Sequence, residues 1–356
     1  MSSLPVFGGL DYHQDSVQVC VLDAEGKTLI NRRVSNDAEK VIAALCRHGK
    51  PRRLAIEACC GAADLAEELV TRGGLCVELA HPGYVARLKR GPDKTDLGDA
   101  RLLADLSRVG YVPRVWLAPE ETRQLRRLVR HRTQLVDRRR DLKLRIRAVL
   151  RENRLKPTGL KSAWTKAWLA WLNNEAALSP LDRWIVQEHL AELAGLQRRI
   201  REAEATLTKT TADDPVVQKL LSLAGVGLVT AGTMRAEIGR FDRFTRGKQL
   251  ARFCGLSPCN SSSGQRQADA GLVKAGNPQL RAVLIELGHR LIRQLDGHWA
   301  ALGARLLLSG KRRNVVVAAV ANRWVRWLHH EMQRPIAPAE APRPSGTKRR
   351  KQSPGG

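Results

Sequence analysis

The sequence predicts an α/β domain at the N-terminus, followed by a mainly helical remainder. Short apolar strands alternate with helices over the first third of the chain, which is the pattern of a sheet covered by helices. From residue 120 that pattern gives way to long heptad-like apolar stripes, and beyond residue 213 Gly-containing turns separate further helical segments.

In order, residues 5–10 lead into Asp11, and residues 17–22 alternate apolar and small polar side chains. After the turn Asp23-Ala24-Glu25-Gly26, residues 28–34 read as the return strand of a hairpin. A helix over 38–46, a short strand over 54–56 running into Glu57 and a helix over 62–72 follow. Gly73-Gly74 ends that helix, and 75–80 reads as another strand, which gives an α/β domain over residues 1–115.

A helical domain is expected over 116–212. Its first helix, 120–155, carries Leu125, Leu128, Leu135, Leu142, Ile146 and Val149 at heptad-like spacing, interrupted by Arg132 and Arg139. A second stretch, with Val186, Leu190, Leu193, Ile200, Ala203 and Leu207, lies beyond a connector rich in tryptophan (Trp164, Trp168, Trp171, Trp184). An antiparallel coiled coil, within one chain or between chains, and a plain helical hairpin both satisfy this pattern. The exposed positions of the first helix include Arg126, Arg130, Arg138 and Arg145 with few acids between them. A solvated helix face usually mixes signs, so this one suits contact with phosphates. The region 213–334 opens with residues 220–238, where Ala224-Gly225-Val226-Gly227 sits between apolar segments as in a helix-hairpin-helix. Residues 335–356, rich in Pro, Ser and Gly with Lys348, Arg349, Arg350 and Lys351, read as a disordered basic tail.

Composition narrows the function. With 356 residues and 43% hydrophobic content the chain can build more than one core, and a formal net charge of +26 makes a polyanion, foremost nucleic acid, the expected partner. A solvated basic surface and an anionic membrane surface are the competing accounts. No apolar run approaches the ~20 residues of a spanning helix. The start MSSLPVFGGLDYH has no basic segment before a long apolar stretch, so a cytoplasmic location is expected. Seven cysteines without a CxxC pair fit reduced, buried thiols.

Asp11 and Glu57 each end an apolar strand, and Asp96 and Asp99 lie three residues apart, on one face if they open a helix. Clustered carboxylates repel, so four together need a cation, and hard oxygen ligands select Mg²⁺ or Mn²⁺. The plain alternative has Asp96 capping a helix and Asp99 paired with Arg101 or Lys94.

Gly-Leu-Asp11, Ile-Glu57-Ala and Lys-Thr-Asp96-x-x-Asp99-Ala-Arg together resemble the DEDD signature of one insertion-sequence transposase family. It is the family numbered one hundred and ten, with its sister group, described as bridge-RNA-guided recombinases. The C-terminal half adds Leu-Ala-Gly-Val-Gly, then Phe253-Cys254-Gly255-Leu256-Ser257-Pro258, Ser261-Ser262-Ser263-Gly264 and Lys274-Ala275-Gly276-Asn277-Pro278-Gln279-Leu280-Arg281. The resemblance implies a ribonuclease-H-like, RuvC-type N-terminal domain whose acids bind metal, and a helical transposase domain over 213–334. It implies a serine nucleophile at Ser263, with Ser261 and Ser262 leaving the register open by one or two positions. It also implies a noncoding bridge RNA that pairs with donor and target DNA, and assembly as a dimer or tetramer. Lys274 and Arg281 are expected to hold phosphate. A RuvC-type nuclease needing no serine and a non-catalytic RNA- or DNA-binding protein are the rival readings.

Overall fold

The period of two in residues 16–22 becomes the layering of the N-terminal unit. The computed structural model describes residues 5–89, 95–157, 159, 162–260, 269–293 and 297–334. The chain divides into two units, Met1–Pro119 and Glu120–Gly356. The first contains β1 (Phe7–Tyr12), β2 (Ser16–Leu22), β3 (Thr28–Ser35), α1 (Ala38–Cys46), β4 (Arg53–Glu57) and α2 (Ala62–Gly73). It continues with β5 (Val77–Ala80), α3 (Pro82–Leu88), α4 (Asp96–Val109) and β6 (Arg114–Val115). The strands form one sheet of order β3-β2-β1-β4-β5-β6. β1 pairs antiparallel with β2 and parallel with β4.

Val17, Val19 and Val21 of β2 join Val41 and Leu45 of α1 and Leu65 and Leu69 of α2 in one core. Cys20 and Leu22 meet Ala100 and Ala104 of α4 on the opposite face. Alternation along a strand thus sorts side chains into two layers of helix. The helix α3 and the edge strand β6 carry no apolar period long enough to be read from sequence.

β1 lies under α4 so closely that only glycine fits at position 9. A Cβ there would stand 2.2 Å from both the Ala100 carbonyl oxygen and the Ala104 nitrogen. Both atoms are helix backbone, which yields only if α4 moves as a whole. Gly9→Ala is therefore expected to cost about 3 kcal/mol, the upper range for overpacking, measurable by denaturant unfolding. A loss no larger than that of a surface substitution would contradict the close packing.

The second unit comprises α5 (Glu120–Glu152), α6 (Lys166–Asn174), α7 (Pro180–Thr210), α8 (Pro215–Leu221), α9 (Leu228–Ile238) and α10 (Gly247–Phe253). The hairpin β7 (Pro258–Asn260) and β8 (Asp269–Leu272) follows, then α11 (Pro278–Arg293), α12 (His298–Leu308) and α13 (Arg313–Gln333). Helices α5 and α7 run antiparallel within one chain, because Arg132 bonds Glu204, Arg139 bonds Gln197 and Asn153 bonds Asp182. The two arginines that interrupt the apolar stripe are thus cross-helix donors. Part of the Trp-rich connector forms α6, whose Trp168 and Leu172 pack with Ile146 and Leu150, while Trp164 precedes α6 and Trp184 belongs to α7.

Leu125 and Val129 of α5 also pack on Ala236 of α9, both within the second unit, while residues 116–119 of the span expected as a helical domain, 116–212, belong to the first unit. The expectation of buried thiols is corrected: Cys20 and Cys254 are buried, whereas Cys59, Cys60, Cys76 and Cys259 are exposed. Cys59 and Cys60 sit in the turn before α2 instead of in an element interior. The segment 335–356 falls outside the described residues.

Candidate active site

Strand register brings the first two acids together. Leu10 of β1 pairs with Ile56 of β4, so Asp11 and Glu57 are the next residues of two parallel neighbours at their carboxyl ends. Leu10 and Ile56 face the α1–α2 layer. By alternation Asp11 and Glu57 point to the other face, the one α4 covers.

Asp96 and Asp99 both lie in the first turn of α4. Carboxylates are favoured there by the helix dipole. The N-cap is Thr95, whose hydroxyl accepts from the Gly98 N–H at 3.2 Å, so the capping role considered for Asp96 belongs to its neighbour. The start of α4 is tied to the sheet: Gln18 donates to Asn31 at 2.8 Å, and Asn31 donates to the Leu97 carbonyl at 3.0 Å.

Cationic and imidazole groups interleave the acids. His13 Nε2 lies 3.3 Å from Asp11 Oδ2 and 3.4 Å from Asp96 Oδ2. Arg33 contacts the same Asp96 oxygen at 2.6 Å. Lys89 Nζ lies 2.8 Å from Asp99 and 3.5 Å from Glu57. Asp99 therefore pairs with Lys89 instead of Arg101, and Lys94 lies outside the described residues. One ligand atom each from Asp11, His13 and Asp96 lies within 4.8 Å of the others, a spacing that suits a metal ion. Beside Asp96 a cleft of about 440 Å³ is lined by Gln18, Arg32, Arg33, Thr95 and Leu97.

Burial pushes the Asp11 carboxyl above its ordinary range; His13 and Lys89 oppose the shift, while repulsion from Asp99 and Asp96 adds to it. Partial burial pulls the Lys89 ammonium down, yet its hydrogen bond to Asp99 and the charge of Glu57 hold it above its usual value. Asp11 thus lies in the field of Asp99 and Asp96, while Lys89 pairs with Asp99 and Glu57.

Sequence reasoning missed His13, Arg33 and Lys89. His13 had a signal, since it follows Asp11 at the two-residue period. Lys89 had none, because only the tertiary fold brings the end of α3 to β4 and α4.

In the second unit, Gly255 and Gly276 cross where a Cβ on Gly276 would stand 2.3 Å from the Gly255 Cα. The Phe253–Pro258 and Lys274–Arg281 segments therefore lie backbone against backbone, with the Asn277 N–H donating to the Phe253 carbonyl at 2.8 Å. Arg281, expected to hold phosphate, donates instead to the carbonyls of Gly255 (3.0 Å), Val273 (2.8 Å) and Lys274 (3.2 Å). Its planar fork suits this clamp on a glycine-rich backbone. Lys274 is exposed. Ser261, Ser262 and Ser263 lie outside the described residues.

The arginines of α5 divide. Arg130 makes two bonds, 2.8 and 3.0 Å, to the buried Glu237, and Arg126 bonds the Ala236 carbonyl, so both are engaged within the fold. Arg138 and Arg145 are exposed and form no ion pair among the described residues. The Gly225-Val226-Gly227 turn joins α8 to α9, with Arg290 donating to the Gly225 carbonyl at 3.0 Å. Among the described residues, no helix is long and apolar enough to cross a membrane.

A family model for DEDD transposases of the IS110 group, described as "Transposase", matches residues 8–154. A second, "Transposase IS116/IS110/IS902 family", matches residues 217–304. The transposase for insertion sequence element IS1111A of Coxiella burnetii is 27% identical, over 88% of this chain and 86% of the relative. The putative transposase y4qE of Sinorhizobium fredii is 31% identical over 70% and 67%. A probable family 20 transposase of Pseudomonas aeruginosa is 29% identical over 90% and 94%.

Proposed function

Because the chain belongs to the IS116/IS110/IS902 transposase family, we propose that it is the transposase of an insertion sequence, a DNA recombinase with a metal-binding half and a serine half. The observation that supports this most is the convergence of Asp11, Glu57, Asp96 and Asp99 from β1, β4 and α4 at one end of one sheet face. We read the mixed sheet as a ribonuclease-H-like, RuvC-type domain.

The donors suit Mg²⁺ or Mn²⁺: they are hard oxygens, and the field among them already draws in Lys89 and Arg33. When bound, such an ion neutralises charge on the phosphate oxygens and polarises the phosphorus centre. Asp11, Glu57, Asp96 and Asp99 would hold it, with His13 beside Asp11 and Asp96. Ser263 supplies the nucleophile: its Oγ–phosphorus bond forms and its proton passes to water, while a phosphorus–oxygen bond to deoxyribose breaks and that oxygen leaves as a hydroxyl protonated by water, giving a phosphoserine link. In this reading the serine acts from another subunit of a dimer or tetramer. A noncoding bridge RNA selects donor and target DNA by pairing, and the protein grips backbones.

Strand exchange by Ser263→Ala tests the serine half. Loss of exchange with retained nucleic-acid binding is expected; full exchange would overturn the serine step, and cleavage without exchange would favour a RuvC-type nuclease. Sequencing RNA that co-purifies with the protein tests the guide, since random RNA alone would count against it. Exposed Arg138 and Arg145 are assigned to phosphates. The double substitution to Ala is expected to lower the slope of log affinity against log salt by about 2 for duplex DNA, read by fluorescence anisotropy. An unchanged slope would remove them from the interface.

A further inference from the structure

Helices α12 and α13 border a cleft of about 730 Å³, lined by His298, Trp299, Arg323, Arg326, Trp327 and His330. This falls within the ~300–1,000 Å³ of small-ligand clefts. Arg323, Arg326, Trp327 and His330 stand at i, i+3, i+4 and i+7 on α13, one continuous face. The adjoining face, with Val320, Trp324 and Leu328, closes the core, and Trp324 lies 6.0 Å from Trp327 between ring centroids.

The face toward the cleft is unusual for a surface helix. Trp327 is 38% exposed, where an indole is ordinarily covered. Trp299 stands edge-on to it at 5.9 Å between ring centroids, and His298 edge-on to Trp299 at 4.9 Å. Among the described residues Arg323 bonds only its own helix, at the Ala319 carbonyl, and Arg326 forms no ion pair. Among the described residues the lining contains no carboxylate. Aromatic faces flanked by uncompensated guanidinium groups are the combination that stacks a base and holds its phosphate.

We propose that this cleft binds an unpaired nucleotide of the nucleic acid on which the protein acts, its base stacked on Trp327 and its phosphates held by Arg323 and Arg326. The proposal rests on the nucleic-acid reading above and adds a single-strand site to it. Tryptophan and arginine also favour protein interfaces. A concave slot whose described charged lining is basic, with Arg323 and Arg326, favours the nucleotide.

The test compares binding of a short oligothymidylate and of a duplex of equal length to the full chain. Trp327→Ala is expected to weaken the oligothymidylate about tenfold, the scale of one lost stacking contact, and the duplex less than twofold. Trp327→Phe should recover part of the loss. If Trp327→Ala misfolds, the Arg323→Gln/Arg326→Gln double variant, altered only at exposed positions, serves in its place with the same expected selectivity. Equal loss on both probes, or no loss on either, overturns the proposal. So does a changed association state by light scattering with unchanged oligothymidylate binding, which would make the cleft a protein interface. Failure of the wild-type chain to bind either probe would instead overturn the nucleic-acid reading itself.

Discussion

Replacing Asp11 by Asn is expected to lower strand cleavage by on the order of 10³-fold, the scale of removing a group that stabilises transition-state charge, and at the same time to stabilise the metal-free fold at neutral pH. The two effects share a cause. Burial raises the Asp11 carboxyl in the native state, and Asp99 and Asp96 add to the rise against His13 and Lys89. The native protein therefore holds this proton more tightly than the unfolded chain. Stability falls as pH rises from the ordinary carboxylate value through the raised native one, and the penalty is fully present above it. Asn carries no charge and removes the penalty, so its advantage should shrink as pH falls through that window. Melting curves in EDTA across pH, beside a cleavage assay with Mg²⁺, measure both. Retained cleavage would remove Asp11 from the chemistry, and an unchanged melting temperature would show that its charge is already compensated.

Glu237→Ala is expected to destabilise the C-terminal unit by about 3 kcal/mol, the lower end of the cost of breaking a buried ion pair. Glu237 is 2% exposed and makes three contacts, to Arg130 and Arg126 of α5 at 2.8 and 3.6 Å and to Asn277 at the start of α11 at 2.7 Å. Arg130 is half exposed and can turn to water, which keeps the cost at that end. Arg126 is more enclosed and has less freedom to do so. Asn277 caps α11 by accepting from the Gln279 and Leu280 N–H groups, so losing Glu237 also loosens that cap. Glu237→Gln should retain the bond to Asn277 and lose less. Urea unfolding compares the two variants, and equal small losses would argue that the arginines find other partners.

The acids were legible because their signal is local. A strand end and a two-residue period specify which face Asp11 and Glu57 take, and a three-residue spacing places Asp96 and Asp99 on one helix turn. The compensating charges were less so. Arg33 and Lys89 meet Asp96 and Asp99 only through pairing of β3 beside β2 and the return of α3 over the sheet. The arginines of α5 illustrate the same limit. Sequence shows a basic stripe, but whether each member faces Glu204, Glu237 or solvent depends on which helix packs where. Arg281 shows the sharpest contrast: its charge suggested phosphate, and its position beside two crossing glycines made it a backbone clamp.

The central place of β1 has a temporal consequence. Its pairing with β2 is local and is available as soon as the first strands leave the ribosome, whereas β4 and α4 are encoded much later. Non-local pairings pay their loop entropy before they return contacts, so α4 is expected to dock on Gly9 late in folding. Until then Asp11 stands without Asp96 and Asp99. A chain on which α4 has not yet docked thus carries Asp11 and Glu57 without Asp96 and Asp99, and completion of folding is itself the step that assembles the cluster.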